Sequence, residues 1–295
     1  MAAAREIVCG DAERVLAKLP AAAVDCVVTS PPYYRQRDYR GSETQVGRES
    51  TPAEYVARLT RIFTEIRRVL KDTGTAWVVL GDKIDAGRQL GMPWRTAIAL
   101  MDDGWQLRSE IVWHKPNAMP SPAKNRPTCD HETIFLLTKT DAYYYDVDAI
   151  REPHVTFSPE SKMRGGRRHF GVRHGTPESG KNGGRQNMHD GRWDQAFHPL
   201  GRNKRTVWSI PLSKYRGAHF AVFPEKLVET CILAGCPADG LVLDPFLGSG
   251  TTAVVAKRLG RRVLGIDCVR AYCDLARERL TKETPRPRRR SDVRT

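Results

Sequence analysis

Thr29-Ser30-Pro31-Pro32-Tyr33-Tyr34 places a hydroxyl, two prolines and two phenols in one short run. Proline fixes φ and has no N–H to donate, so a strand that stops here ends in a stiff loop. Backbone carbonyls in such a loop can accept hydrogen bonds from a substrate amine. Tyr33 adds a flat face for stacking. The apolar run Val24 to Val28 would deliver this loop to the carboxyl end of a sheet, where open α/β folds bind ligands. Read alone, the run is also compatible with a proline-rich strand exit carrying two exposed tyrosines.

A second constellation lies downstream. Leu241-Val242-Leu243-Asp244-Pro245-Phe246-Leu247-Gly248-Ser249-Gly250-Thr251-Thr252 reads as an apolar strand, an acid, a glycine loop and a helix start. Gly248 and Gly250 allow close backbone approach to a ligand and tolerate positive φ. A helix opening at Thr251 would turn its electropositive end toward that ligand. Gly265-Ile266-Asp267 ends the next strand. An acid there can accept hydrogen bonds from two ribose hydroxyls, and its offset from the glycines fits the dinucleotide spacing of about 20 residues.

Gly248 to Ala253 also fits a nicotinamide-type G-x-G-x-x-A loop. Two features separate the readings. The Asp244 carboxylate at the strand end can take the cationic amino group of a methionine moiety, whereas it would repel a pyrophosphate. Only one helix and a tail follow Asp267, which leaves no downstream room for the second half of a dinucleotide fold.

Alternating strands and helices must position both loops. Glu6 to Cys9 and Val24 to Thr29 read as short buried strands, with a helix over Ala12 to Leu19 between them. Thr51-Pro52-Ala53-Glu54 opens a helix with a capping box and a proline in the first turn. Val56, Leu59, Phe63, Ile66 and Leu70 form its apolar face, and Gly74 is expected to end it. A strand over Thr75 to Leu80, a helix over Trp94 to Met101, a strand near Glu110 to Trp113 and another over Thr133 to Thr138 follow. After the insertion come a helix over Pro224 to Leu233, a strand over Leu241 to Asp244, a helix over Thr251 to Leu259, a strand over Val263 to Asp267 and a helix over Ala271 to Leu280. This alternation predicts an α/β fold, a mostly parallel sheet with helices on both faces.

The chain has 295 residues and a net charge of +14. That excess favours a polyanionic partner, because neutralising phosphates releases condensed counterions. Half of it lies in residues 151–205, which hold twelve Lys/Arg against five Asp/Glu and little periodic apolar pattern. So long a stretch is more than a connection. Its charge and interleaved aromatics read as a nucleic-acid-binding insertion, with Arg164, Arg167, Arg168, Arg173, Arg185 and Arg192 as candidate DNA contacts. The seven cysteines are odd in number and form no C-x-x-C pair, which points to a reducing compartment and no metal. No run of 18 apolar residues and no leader-like segment occurs, so the expected location is cytoplasmic and nucleoid-associated, without a membrane partner.

Ser-Pro-Pro-Tyr with a Phe-x-Gly-x-Gly loop downstream resembles the amino-DNA methyltransferases. Catalytic motif, basic insertion and cofactor motif stand in the order of their beta group, whose Rossmann-like sheet is circularly permuted. The resemblance covers nearly all of residues 5–280. It implies a catalytic half over 1–150, a target-recognition insertion over 151–205 and a cofactor half over 206–280; the Pro/Arg-rich composition of 281–295 reads as a basic, mobile tail. It further implies that Asp11, after Gly10, lies near the cofactor adenine. His219 and Phe223, within His219 to Leu227, would line the methionine end, and Phe246 of the glycine loop would be a further cofactor contact. Trp113 to Asn117 and His131 to Lys139 resemble core segments of the group.

The implied activity is methyl transfer from S-adenosylmethionine, releasing S-adenosylhomocysteine, to an exocyclic amino nitrogen of a base flipped out of double-stranded DNA. Ser30 Oγ and the Pro31 carbonyl would accept from the amino group, Pro32 would stiffen the loop and Tyr33 would stack on the base. Ser30 where relatives carry Asp favours cytosine N4. Adenine N6 and an RNA amino group remain the alternatives within the class, and a catalytically inactive DNA-binding regulator the alternative outside it. A restriction endonuclease counterpart and a second copy of the chain are candidate partners.

Overall fold

The computed structural model describes residues 6–37, 45–153, 200–212 and 223–284. The chain divides into two units, one of Met1–Asp146 with Thr206–Thr295 and one of Val147–Arg205. In the larger unit the strands are β1 (Glu6–Cys9), β2 (Val24–Thr29), β3 (Leu70–Leu80), the short hairpin β4 (Ile84–Asp85) and β5 (Arg88–Gln89), β6 (Gln106–His114), β7 (His131–Thr138), β8 (Val207–Ser209), β9 (Leu241–Asp244) and β10 (Arg262–Asp267). The helices are α1 (Ala12–Leu16), α2 (Pro52–Val69), α3 (Met92–Asp102), α4 (Glu225–Gly235), α5 (Thr251–Arg258) and α6 (Arg270–Lys282). Eight described strands form one sheet in the order β1-β10-β9-β2-β3-β7-β6-β8. Neighbours are parallel except that β7 runs antiparallel to both β3 and β6. β2 is buried along its whole length, as its continuous apolar run requires for a strand covered on both faces.

The connectivity is permuted. From β9 the chain steps outward through α5 to β10 and α6, and the next strand in space is β1, which opens the described chain. Joining the end of α6 to β1 would restore an unbroken alternation, β9-α5-β10-α6-β1-α1-β2-α2-β3. β9 and β2 are neighbours from which the chain proceeds in opposite directions along the sheet. This is the switch point beside which doubly wound folds bind their ligands.

Asp25 and Asp244 bind β2 to β9 at its two ends. Near the start of both strands, Asp25 Oδ2 accepts from the Leu241 N–H at 2.8 Å while Oδ1 pairs with Lys71 Nζ at 2.6 Å. At their carboxyl ends, Asp244 Oδ1 accepts from Thr29 Oγ1 at 2.7 Å and from the Phe246 N–H at 3.1 Å, and Oδ2 accepts from Thr252 Oγ1 at 2.6 Å. The carboxylate is fully buried. This corrects the expectation that Asp244 takes a ligand's amino group: both oxygens face the protein interior and already hold three donors.

Several boundaries also differ from expectation. α1 ends at Leu16, three residues early. α2 ends at Val69 and not at Gly74, because Leu70 already has extended geometry (φ −71°, ψ 139°) and begins β3 without a loop. Gly74 lies inside β3, where a Cβ would stand 2.6 Å from Leu70 Cδ1 and 3.0 Å from the Asp25 carbonyl oxygen. α6 continues to Lys282, and Glu283 beyond it pairs with Arg258 at 2.8 Å, so the ordered chain passes the expected start of the tail. β8, too short for a periodic signal, pairs with β6 through Val112, Trp113 and His114. Among the described residues no helix is long and apolar enough to cross a membrane, and all seven cysteines are free thiols.

The described part of the smaller unit is a 3₁₀ turn at Asp148–Ile150 and an antiparallel bridge between Glu152 and Arg202. The Glu152 carboxylate is bonded by Lys204 at 2.9 Å and Arg202 at 3.3 Å. The six arginines predicted to contact DNA, and His219 of the larger unit, lie outside the described residues.

Burial lifts the Asp244 carboxyl from the ordinary 3.8 to about 6, against the opposing pull of the Thr252, Thr29 and Phe246 donors. The folded chain therefore holds this proton more tightly than the unfolded chain. The stabilisation that protonation adds is full below the unfolded value and is lost as pH rises through about 6. Urea unfolding of wild type and Asp244→Asn across that window should show the wild-type advantage falling by on the order of 3 kcal/mol, at about 1.36 kcal/mol for each tenfold change in proton affinity. A difference that does not change with pH would refute this account of the carboxyl.

Candidate active site

The loop after β2 is held from below. Tyr55, in the first turns of α2, donates its hydroxyl proton to the Pro32 carbonyl at 3.0 Å. Tyr34 turns inward, packs against Tyr55 with ring centroids 5.7 Å apart and donates to the Ser50 carbonyl at 3.2 Å. Gly47 (φ +94°) passes so close that a Cβ would lie 2.9 Å from the Tyr33 carbonyl oxygen. The Arg35 N–H closes this contact on the Gly47 carbonyl at 2.7 Å. Among the loop carbonyls, that of Pro32 is thus occupied. No donor among the described residues bonds that of Pro31.

Ser30 and Tyr33 are linked to Glu132 of β7 and, through it, to Lys115 just after β6. Ser30 Oγ donates to Tyr33 Oη at 3.2 Å, and Tyr33 donates to Glu132 Oε2 at 2.6 Å. Lys115 Nζ holds the other carboxylate oxygen, Glu132 Oε1, and stands 4.8 Å from the Trp113 ring centroid. The pairing of Trp113 with Glu132 in the β6–β7 register brings these groups together. Gly81, just after β3, makes room: a Cβ there would come within 2.6 Å of the Tyr33 ring. Burial and the neighbouring Glu132 charge push the Tyr33 phenol well above its ordinary range, so it stays a proton donor.

The opposite wall is the glycine loop. Gly248, at φ +54°, donates its N–H to Asp267 Oδ2 at 2.8 Å, and the Val269 N–H bonds Oδ1 at 2.8 Å. These two bonds fix the carboxylate at the end of β10 and leave further lone pairs on both oxygens. Burial raises the Asp267 carboxyl above its ordinary value. Asp11 caps α1 by accepting from the Arg14 N–H at 3.1 Å.

Both walls enclose one cavity of about 370 Å³. Of the sequence-predicted residues, Asp11, Ser30, Pro31, Pro32, Tyr33, Phe223, Phe246, Gly248, Thr251 and Asp267 line it. Asp244 and Gly250 do not. Gly250 caps α5 at φ +86°, where a Cβ would lie 2.7 Å from Ala276 Cβ, so close packing of α5 on α6 demands the glycine and not ligand approach. Trp113, Lys115 and Glu132 line the cavity without having been assigned to the site. The only sequence signal for them was their place in segments resembling the methyltransferase core. Tyr272 and Val269, beyond Asp267, had none.

The family model for DNA methylases of the N6/N4 type matches residues 24–278. The Type II methyltransferase M.Cfr9I of Citrobacter freundii is 40% identical over 303 residues, covering 93% of this chain and 87% of its own. M.SmaI of Serratia marcescens is 37% identical over 306 residues, covering 94% and 91%. Among solved structures, the cytosine-N4-specific PvuII DNA methyltransferase superposes with a TM-score of 0.66 at 21% identity over 93% of this chain and 85% of its own, a likeness of fold. A Thermus thermophilus protein described as a putative DNA modification methylase, solved with S-adenosyl-L-methionine, gives 0.61 at 27% identity over 96% and 95%. With two thirds of the chain and more matched at this identity, and with both motif loops on one cavity at the switch point, the chain belongs to the N6/N4-type DNA methylase family.

Proposed function

We propose that this protein methylates the exocyclic N4 of cytosine in double-stranded DNA as the modification enzyme of a Type II restriction system. The observation that carries the reading is that Ser30 and Pro31, whose carbonyl no described donor occupies, line the same cavity as Phe246, Gly248 and Asp267. An acceptor pair and a nucleoside-binding wall are thereby within reach of each other.

The methyl donor is S-adenosylmethionine, and the cavity suits it. Asp267 keeps lone pairs for a ribose diol, Phe223, Phe246 and Val269 supply apolar surface, and the acids Asp11 and Asp267 suit a cationic ligand. When bound, the donor supplies an electrophilic sulfonium methyl group. An aromatic amino nitrogen is a poor nucleophile because its lone pair is conjugated into the ring. Ser30 Oγ and the Pro31 carbonyl accept hydrogen bonds from its two N–H groups, which localises the lone pair on nitrogen. The loop is rigid, so these acceptors are already in place and need no reorganisation. Ser30 is a weak base and removes no proton before attack; the surplus proton leaves to solvent once the product has formed.

The target nitrogen is out of reach inside a duplex, so the base is flipped, with Tyr33 as the stacking surface. Arg164, Arg167, Arg168, Arg173, Arg185 and Arg192 hold phosphates or read base edges. Support for cytosine over adenine comes from the neutral Ser30 at the first motif position. Support for the restriction context, with an endonuclease as counterpart, comes from the Type II relatives.

Digestion of enzyme-treated DNA to nucleosides followed by mass spectrometry should yield N4-methylcytosine; N6-methyladenine as the sole product would overturn the assignment. Ser30→Ala should lower turnover by on the order of 10²-fold with S-adenosylmethionine affinity kept within about twofold, as for loss of one preorganised polar contact to the reacting group. Comparable loss of donor binding would contradict the role. Asp267→Ala should weaken donor binding in calorimetry by roughly 10- to 100-fold, the worth of hydrogen bonds to a charged acceptor; unchanged affinity would exclude it from the ribose site.

A further inference from the structure

We infer that Glu132, held by Lys115, is a positioning residue that sets the direction of the Ser30 hydroxyl through Tyr33, so that Ser30 meets the substrate amine as an acceptor. The inference deepens the proposed reaction and rests on Ser30 being the amine's acceptor.

A hydroxyl can point either way. If the Ser30 proton faced the cavity, it would confront the amino protons it is meant to receive. What prevents this is a chain with one terminus of fixed polarity. An ionised carboxylate only accepts, so the 2.6 Å contact with Glu132 Oε2 takes the single Tyr33 proton. Tyr33 Oη can then only accept from Ser30, and the 3.2 Å contact between them uses the Ser30 proton. The lone pairs of Ser30 Oγ are what remains for the cavity. Lys115 keeps the far end of the chain in place by bonding Glu132 Oε1. An ammonium group has only donors, so it reinforces the acceptor character of that carboxylate.

The surroundings are built for this contact. Glu132 and Lys115 have side chains only 16% and 15% exposed, which limits competition from water for the carboxylate. A Cβ at Gly81 would lie 2.6 Å from Tyr33 Cε2 and 3.4 Å from Glu132 Cδ, so only glycine lets the ring and the carboxylate approach as they do. Three chain segments, the loop after β2, the end of β3 and the β6–β7 pair, converge on one hydrogen bond. The raised phenol keeps the relay intact, since a phenolate could not donate to Glu132.

The test is a double-mutant cycle between Glu132→Gln and Tyr33→Phe. Both preserve shape, and Tyr33→Phe keeps the ring for stacking while removing the hydroxyl. Single-turnover methyl transfer from tritiated S-adenosylmethionine to unmethylated phage DNA is read for wild type, both single variants and the double variant, with donor affinity by calorimetry. Each single variant should lose at least about tenfold in rate at nearly unchanged donor affinity, and the double variant should be no slower than Tyr33→Phe, since coupled groups in one network are not additive. Losses that multiply in the double variant, or a Glu132→Gln enzyme of full rate, would overturn the inference. A variant that misfolds is recognised by lost donor binding, and Tyr33→Phe then still reads the relay: full rate in it overturns the inference, and a tenfold loss supports it. The base found in the wild-type digest reports separately on the cytosine assignment, because the cycle measures rate whichever amino group is methylated.

Discussion

One buried carboxylate joins the two halves of this enzyme. Asp244 sits at the end of β9, yet its three donors come from β2, from its own loop and from the second residue of α5. The backbone ladder between β2 and β9 covers only Cys26 with Val242 and Val27 with Leu243. Beyond it the backbone pairing ends, and a side-chain bridge from Thr29 to Asp244 ties the two strand ends together. The loop bearing Ser30 begins one residue after Thr29, so the bridge fixes where Ser30 stands relative to the glycine loop. A fully buried carboxylate is costly unless satisfied, and here three donors offset that cost only in part, as the raised carboxyl shows.

The same economy governs the cavity wall. Side chains that line the cavity are each held by a second group of the protein. Asp267 is oriented by the N–H groups of Gly248 and Val269, Pro32 by Tyr55, and Tyr33 by Glu132. Rigid support of this kind suits the proposed methyl transfer, in which the protein would supply no nucleophile of its own and work by placement. The permuted chain order leaves this arrangement untouched, because placement depends on which strands are neighbours and not on which is made first.

Both reactive loops were legible in the sequence because their signals are local. Prolines at positions 31 and 32 stop a strand whatever surrounds it, and Gly248 permits a positive φ that few other residues tolerate. The spacing from Gly248 to Asp267 is one strand–helix–strand unit, so the pairing of loop and acid was also readable. Less secure was the direction in which a strand-end side chain points. Asp244 was at the right place in sequence, but strand residues alternate between faces, and its carboxylate proved to face inward. Gly250 was read as a ligand-approach glycine, whereas Ala276 on α6 is what it accommodates.

By itself, then, the sequence determined the two motif loops, their order, the α/β alternation and the basic character of the segment between them, since all of these follow from short-range backbone preferences and composition. Only the tertiary structure decided the rest: that Asp244 bridges the halves, that Lys115 and Glu132 line the cavity, and that Tyr33 links Ser30 to Glu132. Tyr33 and Glu132 are 99 residues apart, and Thr29 and Asp244 are 215 apart. Contacts over such distances depend on strand order and register, which are properties of the whole packed sheet and leave no local mark on the residues that make them.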